Sequence, residues 1–188
     1  MILLLLGVVI WSGVHFIPSL GIGLRQSLIE RFGVRTYKIG FALAIVASIV
    51  LMVLGWRAMD PVAVYDPPAW APPITSLAVL AAFILFAAAH AKTNIKRFLR
   101  HPQLTGIVVW AVGHLLANGD NRSLILFGGL GLWAIAEIFV INRRDGVWQK
   151  PDSVPLTNEL MTAAKGLVIF VVVIFAHPYL FGVSPLPH

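Results

Sequence analysis

RHPQLTGIVVWAVGHLLANGD, residues 100–120, combines an apolar helix with two histidines. Gly106, Trp110 and His114 stand four residues apart, and this spacing keeps side chains on one face of a helix. An ionisable group in lipid is costly unless it is paired or coordinates a metal. The stretch therefore predicts a membrane-spanning helix that carries a functional histidine.

The composition places the whole chain in the membrane class. Of its 188 residues, 59% are hydrophobic and 12% are charged, and the mean hydropathy is +0.87. These values lie outside the range of ordinary soluble domains. Most of the uncharged runs can supply the roughly 20 apolar residues that a span needs. We therefore predict an all-α, polytopic transmembrane helical bundle with about six spans, forming a single integral membrane domain over residues 1–188.

Two features of the composition limit the chemistry. The chain has no cysteine, which excludes disulfides, iron–sulfur clusters, c-type haem attachment and thiolate nucleophiles. Histidines and carboxylates must then carry any reaction. The net charge of +6 comes from short loops between spans, where membrane orientation explains it. We expect a lipid bilayer as the partner and no nucleic acid.

The loops predict the orientation of the chain. The predicted helices cover about residues 2–20, 39–56, 74–90, 101–118, 123–141 and 166–188. The loops and flanks at 21–38, 91–100 and 142–165 hold 12 of the 14 lysines and arginines. By the positive-inside rule these loops are cytoplasmic, which predicts a multi-pass membrane protein with both termini outside. The first span has no basic n-region and no small-residue cleavage site, so we expect it to be retained.

Two of the predicted helices share a motif. Gly7, Trp11 and His15 on the first helix repeat the spacing of glycine, tryptophan and histidine on the fourth, and the third and sixth helices both end in Phe, Ala and His. With three spans in each half, the halves would run in opposite directions. The pattern is compatible with a 3+3 inverted repeat.

The histidines are the candidate ligands. Neutral imidazoles on separate helices suit b-type haem, whose iron takes one nitrogen on each face, and neighbouring glycines let the flat macrocycle approach. Each histidine could instead bond a carbonyl of a neighbouring helix. A zinc site is less favoured because its usual acidic or thiolate ligands are absent. Depth in the membrane favours pairing His15 with His90, or His114 with His177; the candidates are His15, His90, His101, His114 and His177.

Two charged residues have further candidate roles. Arg100 could hold a haem propionate through a forked hydrogen bond. Glu137, the only acid placed within a predicted span, lies near Arg143 and Arg144, so it is expected to reach the interface and pair there. Its alternative role is to carry protons for, or to orient, His15 or His90.

Residues 15–41 (HFIPSLGIGLRQSLIERFGVRTYKIGF) and 100–120 resemble the NnrU family of bacterial membrane proteins, which is related to the plant and cyanobacterial 15-cis-zeta-carotene isomerase. The resemblance implies haem b, which in the isomerase is bound by two histidines that match His15 and His114. The residue pattern adds Trp11 and Trp110, which stand with glycines beside these histidines. The resemblance also implies a location in the bacterial inner (cytoplasmic) membrane and a role connected with nitric oxide and nitrite reduction. The partner would then be a respiratory nitrogen-oxide reductase or a polyene substrate. The depth difference between His15 and His114, on the order of 8 Å from the rise per residue, must be bridged by helix tilt.

Three alternatives stay open. A haem-dependent cis–trans isomerase of a carotenoid polyene is what the plant relative suggests. RHP followed by Gly106 also resembles the start of a helix in the isoprenylcysteine-type membrane methyltransferases, which bind S-adenosylmethionine, although the glutamates and tyrosines expected downstream are missing. The third alternative is a non-catalytic assembly partner of a respiratory oxidase.

Overall fold

A computed structural model describes residues 1–185, and the helices in that range form an all-α bundle. Five helical segments are long and apolar enough to cross a membrane, and a sixth apolar helix, α5, has 16 residues. The polytopic bundle predicted from the composition is therefore confirmed. The elements are α1 (Ile2–Ser19), α2 (Ile22–Arg57), α3 (Ala71–Ala89), α4 (Ile95–Phe98), α5 (Pro102–Ala117), α6 (Asn121–Ser123), a π-helical turn (Leu124–Gly128), α7 (Gly129–Asp145) and α8 (Leu156–Phe181).

The central helix of the bundle is α7. It packs against α1 on one side and against α5 on the other. Next to these, α2 packs on α1, α3 packs on α5, and α8 packs on α3. The two helices that carry the Gly-x3-Trp-x3-His motif thus both face α7. The run formed by the π-helical turn and α7 contacts both motif histidines, through Phe127 and Trp133.

Glycines set the closest helix contacts. A Cβ on Gly7 would lie 2.8 Å from the carbonyl oxygen of Ser48 on α2, and one on Gly106 would lie 3.1 Å from that of Ala82 on α3. The motif glycine of the first half thus faces the following helix, whereas that of the second half faces the preceding one. An inverted repeat would pair the motif with equivalent helices in both halves. The two motif glycines face non-equivalent neighbours, so the inverted repeat stays a prediction.

The basic segment at residues 21–38 is helical, so the predicted loop is wrong there. Residues 22–32 form the first part of α2, which breaks at Gly33 with φ 82° and ψ 156° before the membrane-spanning part begins. Leu24, Leu28 and Phe32 are spaced four residues apart, so one face of this segment is apolar despite its charges. The charges favour a loop, whereas this four-residue spacing indicates a helix. We call residues 22–32 the surface helix.

The last helix also begins earlier than predicted, at Leu156 instead of near residue 166. Its first turns are polar but anchored, because Glu159 accepts hydrogen bonds of 2.6 Å from the Thr93 hydroxyl and the Asn94 backbone N–H. Asn94 in turn pairs with the backbone of Val154. These contacts join the connection before α4 to the start of α8. They give the polar groups of both segments hydrogen-bond partners within the protein.

The proline-rich connection at residues 58–70 forms an ordered cap over the end of α5. It pairs with the turn after α5, where Val64 N–H donates to the Gly119 carbonyl at 2.7 Å. The Tyr65 hydroxyl donates to the carbonyls of Leu115 and Asn118. The cap holds the end of α5, one turn beyond His114.

Candidate functional site

His15 lies in an aromatic cluster between α1, α2 and α7. Its ring centre is 4.4 Å from that of Trp11, 4.9 Å from Trp133 and 5.6 Å from Phe41. Trp11 and Trp133 also meet edge to face, with centres 5.7 Å apart. The three surrounding rings restrict the imidazole to one orientation. We call these four residues the His15 cluster.

His114 lies in a second aromatic cluster, formed by α5 and the π-helical turn. Its ring stacks on Phe127 with centres 4.4 Å apart and an angle of 24°, and it contacts Trp110 at 4.9 Å. Phe127 sits within the π-helical turn and also meets Trp56. π-helical turns inside α-helices often occur at functional sites. Here the turn directs Phe127 onto the imidazole.

The two histidines are held by the same hydrogen bond. Nδ1 of His15 lies 2.9 Å from the Trp11 carbonyl oxygen, and Nδ1 of His114 lies 2.9 Å from the Trp110 carbonyl oxygen. Because a carbonyl only accepts hydrogen bonds, Nδ1 carries the proton in the neutral ring and Nε2 keeps its lone pair. Both residues therefore match the chemistry of an axial haem ligand.

The two clusters occupy different levels of the bundle. His15 contacts Trp133, whereas His114 contacts Phe127, six residues earlier on the same helical run. At 1.5 Å per residue this is about 9 Å along the axis of that run. The difference is similar in size to the depth difference expected from the sequence.

Buried donors lie beside His15. In residues 1–185, the indole nitrogens of Trp11 and Trp133 are buried without a hydrogen-bond acceptor. Trp133 is only 5% exposed. Leaving a buried donor unsatisfied costs about 1–3 kcal/mol. The cluster would thus be stabilised by a bound group that offers hydrogen-bond acceptors.

Glu137 is buried between α1 and α7, with 5% of its surface exposed. Its Oε2 accepts a 2.9 Å hydrogen bond from the Ser19 hydroxyl. The ion pairs formed within residues 1–185 are Arg122–Asp120 and Arg144–Asp145, so the predicted pairing of Glu137 with an arginine is wrong. Arg144 instead donates to the Pro18 carbonyl at 2.9 Å, because α1 ends beside the end of α7.

The remaining predicted residues lie apart from these two clusters. His101 precedes α5, and its Nε2 lies 3.0 Å from Asn142 Oδ1, which joins α5 to α7. His90 caps α3 with its Nδ1 3.2 Å from the Phe86 carbonyl oxygen. His177 is near the end of α8, with its Nδ1 2.6 Å from the Val183 carbonyl oxygen. Arg100 donates to the Gly146 carbonyl at 2.8 Å, a contact at the end of α7.

The arrangement does not form a bare metal site of the zinc type. In the described part of the chain, no three histidine, aspartate or glutamate side chains gather closely enough to hold a metal ion. A porphyrin brings most of the iron ligands itself, so a haem would need only one imidazole nitrogen on each face. His15 and His114 lie at different levels and would have to approach the same iron from its two sides.

The sequence prediction missed Phe41, Phe127 and Trp133. Trp133 had a signal, because Trp133 and Glu137 repeat the four-residue spacing of Trp11 with His15 and of Trp110 with His114. Phe41 and Phe127 had none. Each is one of many apolar residues in an apolar span, and only the packing shows which of them meets a histidine.

Comparison with protein-family models gives a match to the family described as NnrU protein, over residues 3–185. Comparison with curated proteins and with solved structures finds no match.

Proposed function

Because the chain belongs to the NnrU family, we propose that it binds haem b through His15 and His114 in the membrane and acts in the reduction of nitrite and nitric oxide. The cofactor part rests on one combination that the exposed His90 lacks: the Nδ1 hydrogen bond leaves Nε2 available, and each imidazole is packed among aromatic rings inside the bundle. Metal-binding histidines are commonly oriented by such a bond on their other nitrogen. The role in nitrogen-oxide reduction follows from what the family resemblance implies.

The residues around the two histidines would orient the ligands and the bound group. Haem iron supplies one-electron redox chemistry when bound. Trp11 and Trp110 contact the two imidazoles and fix their planes. The buried indole N–H of Trp133 would donate to an oxygen acceptor of the bound group.

Glu137 would hold a proton near the His15 cluster. It is four residues from Trp133 on α7, and its partner Ser19 is four residues from His15 on α1, so both polar groups lie one turn from the cluster. Proton carriers in membrane proteins are typically buried carboxyl groups of this kind. The Ser19 hydroxyl would keep Glu137 pointing along the α1–α7 interface toward the end of the bundle that carries Arg144.

A visible spectrum tests the cofactor. The protein is expressed with haem supply and purified in mild detergent, and we expect a Soret band that is lost in His15→Ala and in His114→Ala. His90→Ala is the matched control, because it removes a histidine from the end of α3 and should leave the band intact. A colourless wild-type protein, or a band that survives both ligand variants, would refute haem binding by this pair.

A cellular measurement tests the nitrogen-oxide role. A strain in which His114→Ala replaces the chromosomal copy is grown on nitrite without oxygen. We expect slower nitrite consumption or transient nitric oxide accumulation compared with the His90→Ala strain. If the spectrum shows that the His114→Ala protein lacks haem but both strains consume nitrite at the same rate, the role in nitrogen-oxide reduction is contradicted. Haem binding would then serve another function. Chromatography of added carotenoid polyenes would then test isomerisation.

A further inference from the structure

The surface helix faces the end of α1 and the spanning part of α2 across a groove. The break at Gly33 separates it from the rest of α2. The whole of α2 has 36 residues, so a straight helix would be about 54 Å long and would exceed the roughly 30 Å hydrocarbon core. Leu28 and Phe32 of the surface helix line one groove with Val14 and Ile17 of α1. The surface helix therefore returns to the bundle at the end where α1 stops.

The groove beneath the surface helix is apolar. It has a volume of about 370 Å³. A Cβ placed on Gly40 would meet no atom of residues 1–185 within 4 Å, so the groove is open at that position. The lining suits a hydrocarbon chain; it consists of Val14, Ile17, Leu28, Phe32, Thr36, Tyr37, Gly40, Phe41 and Ala44.

The rim of the groove is cationic. The Arg25 guanidinium lies 5.9 Å from the centre of the Tyr37 ring, across the break, and that of Arg31 lies 5.2 Å from the Phe32 ring. Both rings line the groove. Residues 22–38 hold four basic side chains and one acid, Glu30, which accepts a hydrogen bond from Gln26. The charge on the rim is therefore largely uncompensated.

We propose that this groove binds an anionic phospholipid, with an acyl chain among the lining residues and the phosphate at Arg25 and Arg31. Arginine forms charge-assisted, forked hydrogen bonds to phosphate, and basic segments at a membrane surface attract anionic lipids. The positive charge favours an anionic headgroup over a zwitterionic one. The site does not depend on the proposed cofactor, although Phe41 joins its lining to His15.

Native mass spectrometry of the purified full chain tests the site. The detergent-solubilised protein is titrated with dioleoyl phosphatidylglycerol and, in parallel, with dioleoyl phosphatidylcholine. We expect phosphatidylglycerol to bind at least tenfold more tightly, and Arg25→Gln/Arg31→Gln to remove that preference. Arg143→Gln/Lys150→Gln is the control for charge, because it neutralises two basic residues at and beyond the end of α7, and it should keep the preference.

A second variant tests the groove itself. Gly40→Leu projects a side chain into the open space and should weaken phosphatidylglycerol binding at least fivefold while Arg25 and Arg31 are intact. Glycerol phosphate, which has the headgroup charge without the chains, should not compete. Equal affinity for the two lipids would overturn the proposal, and so would equal losses of affinity in the two charge variants. It would also be overturned if glycerol phosphate competes and Gly40→Leu binds phosphatidylglycerol normally.

Discussion

The Ser19 hydroxyl on α1 donates a 2.9 Å hydrogen bond to Oε2 of the buried Glu137 on α7, 118 residues further along the chain. This bond gives a buried carboxyl group a partner and ties the central helix of the bundle to the helix that carries His15. We expect the pair to contribute to stability whatever cofactor the protein binds.

Removing either partner should destabilise the protein. Ser19→Ala leaves a buried carboxyl group without its donor, and we expect a loss of about 1–3 kcal/mol. Glu137→Gln keeps an acceptor oxygen and should cost less than Glu137→Ala. Thermal unfolding in detergent, followed by tryptophan fluorescence, measures the difference. A double-mutant cycle that gives no coupling between Ser19 and Glu137 would contradict the assignment.

Gly7 should tolerate no side chain, in contrast to Gly13 on the same helix. A Cβ at Gly7 would lie 2.8 Å from backbone atoms of both Ser48 and Met52, so Gly7→Ala must separate α1 from α2. We expect a loss of about 1–3 kcal/mol. At Gly13 a Cβ meets no described atom within 4 Å, and Gly13→Ala should be neutral or stabilise the helix by up to about 1 kcal/mol. Similar unfolding temperatures for Gly7→Ala and Gly13→Ala would show that α1 and α2 have room for a side chain at Gly7.

Gly33 should be required for the break in α2. Its φ of 82° and ψ of 156° lie in a region that glycine alone adopts readily, so Gly33→Ala should cost about 1–3 kcal/mol or straighten the helix. Gly23→Ala is the control, because Gly23 has helical geometry and open space around it in residues 1–185. Limited proteolysis after Arg25 and Arg31 reports the change, and we expect faster cleavage in Gly33→Ala alone. Unchanged cleavage and stability would argue against the break.

Asp120 should make stability depend on pH. Burial raises the pKa of its carboxyl group, but hydrogen bonds from the Ser123 hydroxyl and the Ser123 and Arg122 N–H groups, with the Arg122 charge, lower the pKa overall. A carboxylate whose pKa is lowered by folding stabilises the protein above its unfolded pKa of about 4, and that contribution is lost as the pH falls through the folded pKa.

The test of this linkage compares two variants. Asp120→Asn keeps an oxygen for the N–H groups at the start of α6 and should remove the pH dependence, whereas Asp120→Ala also removes the cap and should cost about 1–2 kcal/mol at pH 7. Unfolding temperatures measured between pH 7 and pH 3 should converge for the wild type and Asp120→Asn at low pH. A constant gap over that range would rule out the charge as the cause.

The sequence determined the class of fold because that class depends on composition and length. Apolar runs of about 20 residues must cross a bilayer as helices, and the concentration of basic residues in three segments predicts one orientation. Four-residue spacing also identified the face that carries Trp110 and His114, since the helical repeat is fixed. These inferences needed no knowledge of which helices are neighbours.

The tertiary structure decided which residues meet. Apolar spans are interchangeable by composition, so the sequence does not indicate that Phe127 stacks on His114 or that Glu137 faces Ser19 instead of an arginine. The spacing of Trp133 marks it as a candidate residue but does not tell which histidine it contacts. The sequence also left the break at Gly33 undetermined, because a basic segment with an apolar face can form a loop or a surface helix. Which one is more stable depends on the apolar residues of α1 and α2 that the segment faces. Local periodicity fixes the face of each helix, whereas the pairing of faces depends on close packing of all the helices together.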